Sequence, residues 1–222
     1  MTTTTATITA AQLASLLSLH VYASTDKVTP VLGVIQIQRH GHTLEAMVTD
    51  RYCLAFAKYE LNPDQHDEDT DEPVYIDAAT AKQFLPMVKK VRGTEPATIY
   101  DGKINLYLSE IVIPLTDGNG RFKADSYPPV RRLVPDNLEE YAANPAGIVS
   151  LRPSFVAKLT KVILPGQGRK PRNSGEDPWR FHVAMMNDDA MGNTKPAPVV
   201  CEPITKDGGE VLVMIQPNLL TK

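Results

Sequence analysis

The chain has 222 residues, long enough for one large domain or two small ones with sizeable cores. Hydrophobic residues make up 42% and charged residues 22%, the balance of an ordinary soluble globular protein. The formal net charge is −3, so any contact with nucleic acid has to come from local basic faces. No apolar run reaches membrane-spanning length, and the start MTTTT lacks the basic and apolar regions of a signal peptide. Cys53 and Cys201 stand far apart in strand-like surroundings. They read as buried free thiols of a reducing compartment, with a disulfide left open. A cytoplasmic location follows as the expectation.

The first elements read in order. A short strand at 6–8 precedes Thr9-Ala10-Ala11-Gln12, which has capping-box spacing, with a hydroxyl at the N-cap and an amide three residues on. Leu13, Leu16, Leu17 and His20 then recur at helical spacing and predict a helix over about 10–21. Pro30 and Gly33 end the connection. Extended runs follow at 34–39, 43–49 and 53–60, the first two joined by a hairpin turn at His40-Gly41-His42. The acidic stretch 62–72 lacks the glycine and ligand spacing of a calcium loop and reads as a solvated linker.

The pattern then restarts. A strand at 74–76 leads through Asp77, a plausible N-cap, into a helix to about 92 whose apolar stripe is Ala81, Phe84, Leu85 and Val88. Pro86 should bend it, and Gly93 is a natural stop. Strands follow at 97–100, 103–108 and 111–115, with Asp101-Gly102 as a hairpin signal. After a connector at 118–146, rich in Pro, Gly and Asn, the pattern returns a third time. Residues 148–149 are extended, and Pro153 opens a helix with Phe155, Val156, Leu159, Val162 and Ile163 on its buried face. A polar, basic stretch at 166–178 reads as a mobile loop. Strands at 179–185, 198–203 and 211–215 complete the unit, the last hairpin turning at Asp207-Gly208-Gly209. One plan occurs three times: strand, helix, three strands. The fold class is therefore α+β, with helices on one face and antiparallel sheets on the other. Each unit leaves a sheet edge and a helix face in need of neighbours.

Two stretches carry a more specific signal: Val48-Thr49-Asp50-Arg51-Tyr52-Cys53-Leu54-Ala55 and Tyr127-Pro128-Pro129-Val130-Arg131-Arg132-Leu133-Val134-Pro135. The first, within residues 30–61 where Pro30-Val31-Leu32-Gly33-Val34 leads into it, and the second, together with Val211-Leu212-Val213-Met214-Ile215-Gln216-Pro217, resemble the bacterial DNA polymerase III beta sliding clamp, in the order in which its middle and last domains carry them. The resemblance implies a DNA-clamp fold. Residues 1–117 would form a clamp domain of two units, 118–146 a connector and 147–222 a single unit equal to half of the last clamp domain. The small size suggests a phage-encoded or otherwise reduced version.

The resemblance further implies a ring around duplex DNA and a partner-peptide pocket. That pocket would use Thr49, Arg51, Tyr52 and Leu54, with Pro128, Arg132 and Leu133 from the connector and Met214, Gln216 and Pro217 from the final strand. An apolar groove with a few polar edges suits a short linear peptide with hydrophobic anchors. Arg131 and Arg132 have an equal reading as braces of the connector against carboxylates, and Tyr52 and Met214 as plain core residues. The family's rings hold an even number of units per chain, whereas this chain shows three. A homo-oligomer is expected, with an open or monomeric form as the other outcome.

Sliding needs phosphate contacts without base readout, hence lysine and arginine on exposed helix faces. Lys82, Lys89 and Lys90 fall opposite the apolar stripe of the second helix. Lys158 and Lys161 share a side of the third, with Arg152 nearby and Arg169, Lys170 and Arg172 just beyond. A solvated helix face is the competing reading. The first helix supplies no basic residue before Lys27.

Enzyme readings find no support. There is no Gly-rich phosphate loop, nucleophile elbow or zinc-type Cys/His cluster, and His40/His42 and Asp188-Asp189 read as turns. No cofactor or metal is expected. The leading expectation is a non-enzymatic processivity factor that tethers a polymerase or other clamp-binding protein to duplex DNA. The alternative is a clamp-fold interaction protein that binds a host replication or transcription protein without encircling DNA.

Overall fold

The structure, a computed structural model, describes residues 6–62, 72–100, 102–116, 126–143, 149–166, 172–173, 178–187, 194–204 and 208–217. The interiors of the acidic linker and of the 166–178 loop, Asp101, residues 118–125 and 144–146 of the connector, Ile148, Arg169, Lys170, the Asp188-Asp189 turn and Asp207 lie outside them.

The first two repeats follow the expected plan. Strand β1 (Ala6–Thr9) feeds α1 (Ala10–Ser18), and β2 (Val34–His40), β3 (Thr43–Thr49) and β4 (Cys53–Glu60) form a meander. Then β5 (Val74–Asp77), α2 (Ala78–Val88), β6 (Pro96–Tyr100), β7 (Lys103–Leu106) and β8 (Ile111–Pro114) repeat it. The two units exchange their leading strands. β1 pairs antiparallel with β6, and β5 pairs antiparallel with β2. This reciprocal exchange caps one edge of each sheet and sets α1 against α2.

The capping box at the start of α1 forms in full: Gln12 N–H donates to Thr9 Oγ1 at 3.2 Å, and Thr9 N–H to Gln12 Oε1 at 2.9 Å. Both helices are shorter than expected. α1 gives way at Ser18 to a 3-10 turn, Leu19–Tyr22. α2 ends at Val88, not near 92, because Lys90 and Val91 bond three residues back, to Met87 and Val88, and tighten the chain. Asp77 precedes α2 without a side-chain cap.

The third repeat departs from the plan. After α3 (Leu138–Tyr141) in the connector, the expected long helix is only α4 (Pro153–Val156), followed by a 3-10 turn, Leu159–Lys161. Arg152 supplies no side-chain cap, and Phe, Val and Thr hold a helix weakly. The chain continues through β9 (Ile163–Leu164) and β10 (Arg172–Asn173), a small antiparallel pair, to β11 (Trp179–His182). An unanticipated hairpin, β12 (Met185–Asn187) with β13 (Thr194–Pro196), separates β11 from β14 (Val199–Pro203) and β15 (Glu210–Ile215).

β15 pairs antiparallel with β4, merging the first and third repeats into one seven-stranded sheet, β11-β14-β15-β4-β3-β2-β5; β1-β6-β7-β8 form the other large sheet. Both faces of the central strands are covered, which explains their nearly unbroken apolar sequence. Cys53, Ala55, Ala57, Val211, Val213 and Ile215 join α1, α2 and the inner face of the four-stranded sheet in the main core. On the opposite face Leu54, Phe56, Leu212 and Met214 pack under the connector residues Tyr127, Val130 and Val134. α1 lies deep in the main core, eight of its nine residues buried.

Candidate partner groove and basic face

The groove begins with the turn between β3 and β4. Thr49 Oγ1 donates to Cys53 C=O at 2.7 Å and accepts from Arg51 N–H at 3.1 Å. Asp50 Oδ1 accepts from the N–H groups of Tyr52 (3.0 Å) and Cys53 (2.8 Å). These short polar side chains hold the turn open and carry Arg51 into the left-handed region at φ 79°. β15 then lies beside β4 with Met214 opposite Leu54, and Gln216 N–H donates to Tyr52 C=O at 2.8 Å.

The connector closes the third side. Tyr127 hydroxyl donates to Met47 C=O at 3.1 Å. Arg131 donates from Nε to the buried Glu45 carboxylate at 2.9 Å, reaches Asp136 at 3.2 Å and lies over the Phe56 ring. Arg131 is thus the brace, and the 3-10 turn Val130–Leu133 that it fixes leaves Leu133 exposed beside Met214.

The result is a shallow depression of about 60 Å³ lined by Thr49, Arg51, Tyr52, Cys53, Leu54, Leu133, Pro198, Met214 and Gln216. Seven of the ten residues named from sequence line it. Pro128 is half-buried nearby in the chain, Arg132 is exposed, and Pro217 is buried one step past the rim; none of these three lines it. Sequence reasoning missed Cys53 and Pro198. Cys53 carried a signal, since it sits inside the turn motif; its thiol is pushed up to about 12, chiefly by burial.

The six expected DNA-facing residues separate into three groups. Lys82 and Lys161 line an open cavity of about 760 Å³, with His20 and the first residues of α2, Ala78 and Ala79. Burial lowers the His20 pKa, with Lys82 and Lys161 adding to the effect against the bond from Nδ1 to Leu17 C=O, so the ring is neutral there. Lys89 and Lys90 stand exposed just past the end of α2. The other two turn toward the groove turn. Lys158 also borders the cavity, but its Nζ donates to Asp50 Oδ2 at 2.8 Å and lies over the rings of Tyr22 and Phe155. Arg152 lies over Tyr52 and Phe155, whose rings stack at 6.1 Å.

Three solved structures of this architecture are the DNA polymerase III beta subunit of Thermotoga maritima, the polymerase sliding clamp of Bacillus subtilis and a sliding clamp of Bartonella birtlesii bound to griselimycin. Their TM-scores to this chain are 0.55, 0.52 and 0.57, over 100%, 98% and 99% of its length. The chain has the beta sliding clamp fold. Identity is 11%, 13% and 15% respectively, a level at which the likeness shows the fold alone. This chain spans 67%, 65% and 67% of those proteins. Comparison with protein families and with curated proteins finds no match. The turn 49–54, the connector turn and the last strand meet on the face of the seven-stranded sheet opposite the main core, and Lys82 lies on α2.

Proposed function

We propose that this protein is a non-catalytic, clamp-like processivity factor that holds a partner's linear peptide in the groove and meets duplex DNA through its basic helix side. The carrying observation is the convergence of three segments far apart in the chain, residues 49–54, 133 and 214–216, on one apolar depression with polar edges. Exposed Tyr52 and Leu133 beside Leu54 and Met214 supply anchors for hydrophobic side chains, while Thr49, Arg51 and Gln216 supply polar edges. Lys82, Lys161, Lys89 and Lys90 would contact phosphates without reading sequence. The test is binding of a labelled hydrophobic clamp-binding peptide followed by fluorescence anisotropy. Tyr52→Ala with Met214→Ala is expected to weaken it at least tenfold, and unchanged affinity refutes the groove.

A second reading has its own support. Because α1 is enclosed, the helix side offers one accessible helix from the first two repeats, which favours a partner-binding protein that does not encircle DNA. Retention on nicked circular DNA, lost on linearisation, would mark a ring. Equal retention on both forms would leave surface contact only.

A further inference from the structure

The charged side chains at the rim of the partner groove are arginines. Arg51 lines the depression, Arg132 stands exposed in the connector turn next to Leu133, and the Arg152 guanidinium lies 5.5 Å from the centroid of the Tyr52 ring. Among the described residues no carboxylate lines the depression. The acids of this region are already engaged. Asp50 is occupied at both oxygens, by the turn N–H groups and by Lys158, and Asp26 reaches Arg51 at 3.5 Å. The positive excess is particular to the groove. A second hollow under the same connector, of about 410 Å³, is lined by Asp136, Glu139 and Glu210 beside Lys58 and Arg131, so there the acids outnumber the bases.

Arg152 differs from the other two rim arginines. Its guanidinium rests on Tyr52 and, at 5.6 Å, on Phe155, and those rings stack at 6.1 Å with 21° between their planes. Arg152 C=O accepts from Phe155 N–H at 2.9 Å, so arginine and ring belong to one local turn. Among the described residues no carboxylate pairs with Arg152, whereas Arg51 has Asp26. A guanidinium stacked on a ring keeps its N–H edges free for a carboxylate, and the stacking orients it before any ligand arrives.

We infer that the groove takes an acidic peptide, with Arg152 binding a carboxylate beside the hydrophobic anchor that meets Tyr52. This rests on the groove reading above and narrows it from any hydrophobic peptide to one chemical class. A carboxylate at this point gains a bidentate donor and a positive rim, while a lysine or arginine there meets like charge. Duplex DNA is the other polyanion to consider. Arg152 does not line the cavity of Lys82 and Lys161, and its stack ties it to a groove residue.

Two labelled peptides with the same leucine and phenylalanine anchors test this by fluorescence anisotropy, one with glutamates flanking the anchors and one with glutamines. The glutamate peptide is expected to bind about tenfold tighter at low salt, an advantage that shrinks as salt rises. Arg152→Gln should cost the glutamate peptide about fivefold and the glutamine peptide less than about twofold, which also shows that the fold is kept. Arg152→Lys should recover only part of the loss, because a lysine lacks the fork. Equal affinity of the two peptides for the unaltered protein overturns the inference and leaves the groove standing. An equal loss for both peptides in Arg152→Gln assigns Arg152 to packing on Tyr52 and overturns it as well. So does intact discrimination in that variant with a lower salt slope for duplex DNA, which returns Arg152 to the DNA face. If neither peptide binds the unaltered protein, the groove reading itself falls, and this inference with it.

Discussion

The Asp50 carboxylate bonds to Lys158 across 108 positions of sequence, and each of its oxygens has a different task. Oδ1 shapes the groove turn through Tyr52 and Cys53, whereas Oδ2 accepts from Lys158 and ties that turn to the third repeat. The side chains are 14% and 23% exposed, so the pair is shielded but not dry. Removing Asp50 unmakes both ends and leaves Lys158 uncompensated; Asp50→Ala should cost about 2–3 kcal/mol and weaken peptide binding. Lys158→Met keeps the Oδ1 bonds and should cost less, about 1 kcal/mol. Urea denaturation of both variants, with peptide affinity measured beside it, checks the order. Equal losses would mean that the turn does not depend on Oδ1.

That same bond separates the basic residues by role. Among the described residues no carboxylate pairs with Lys82 or Lys161, which line the open cavity, while Lys158 is occupied. Lys82→Glu with Lys161→Glu is therefore expected to weaken association with duplex DNA and to lower the salt slope by about two units. Lys158→Met should lower thermal stability and change that slope little. A slope that follows Lys158 and ignores the other two would move the DNA face to the groove turn.

The groove turn was legible because its chemistry is local. Strand bounds read at 43–49 and 53–60 match Thr43–Thr49 and Cys53–Glu60, since Thr49 and Asp50 satisfy the backbone within four residues. The capping box of α1 was legible for the same reason. The third helix was not: Phe155, Val156, Val162 and Ile163 have helical spacing, but they pack on the core equally well from short turns and a strand. Lys158 is placed on a helix face by its spacing from Lys161, and Arg152 only by being nearby; neither carries information about a carboxylate or a ring brought up by distant segments. The enclosure of α1 had a signal in Ala10, Ala11, Ala14, Ser15 and Ser18. These small residues let neighbours approach on every side, and Ser18 Oγ accepts from Ile163 N–H at 2.9 Å.

Gly209 occupies a position where a side chain has no room. Its φ is +153°, and a Cβ there would stand 2.6 Å from Tyr59 Cδ1 and 2.9 Å from Lys58 C=O. Tyr59 is fully buried and cannot swing away. Gly209→Ala should therefore displace the start of β15 from β4 and cost about 2–4 kcal/mol. Gly41→Ala is the control, because Gly41 has φ +55° and open space around it; its cost should be near 1 kcal/mol. Thermal unfolding of the two variants decides. Similar losses would assign the cost to backbone conformation and not to the Tyr59 contact.

The buried thiols and phenols fix the alkaline limb of stability. Burial pushes both Cys53 and Cys201 up to about 12, with further upward contributions from Asp50 at Cys53 and from Cys53 at Cys201. Burial also raises Tyr22, Tyr59 and Tyr127, and takes Tyr141 up to about 12. All are raised above their unfolded values, so the folded state keeps protons that the unfolded state releases. Their stabilisation is fully present below about pH 9 and is lost as pH rises toward 12. Urea midpoints should fall from about pH 9 upward, and Cys201→Ala, by removing one raised group, should shrink the fall between about pH 9 and 11 even though it lowers the starting value. A fall of undiminished size in that variant would assign the alkaline limb to the phenols.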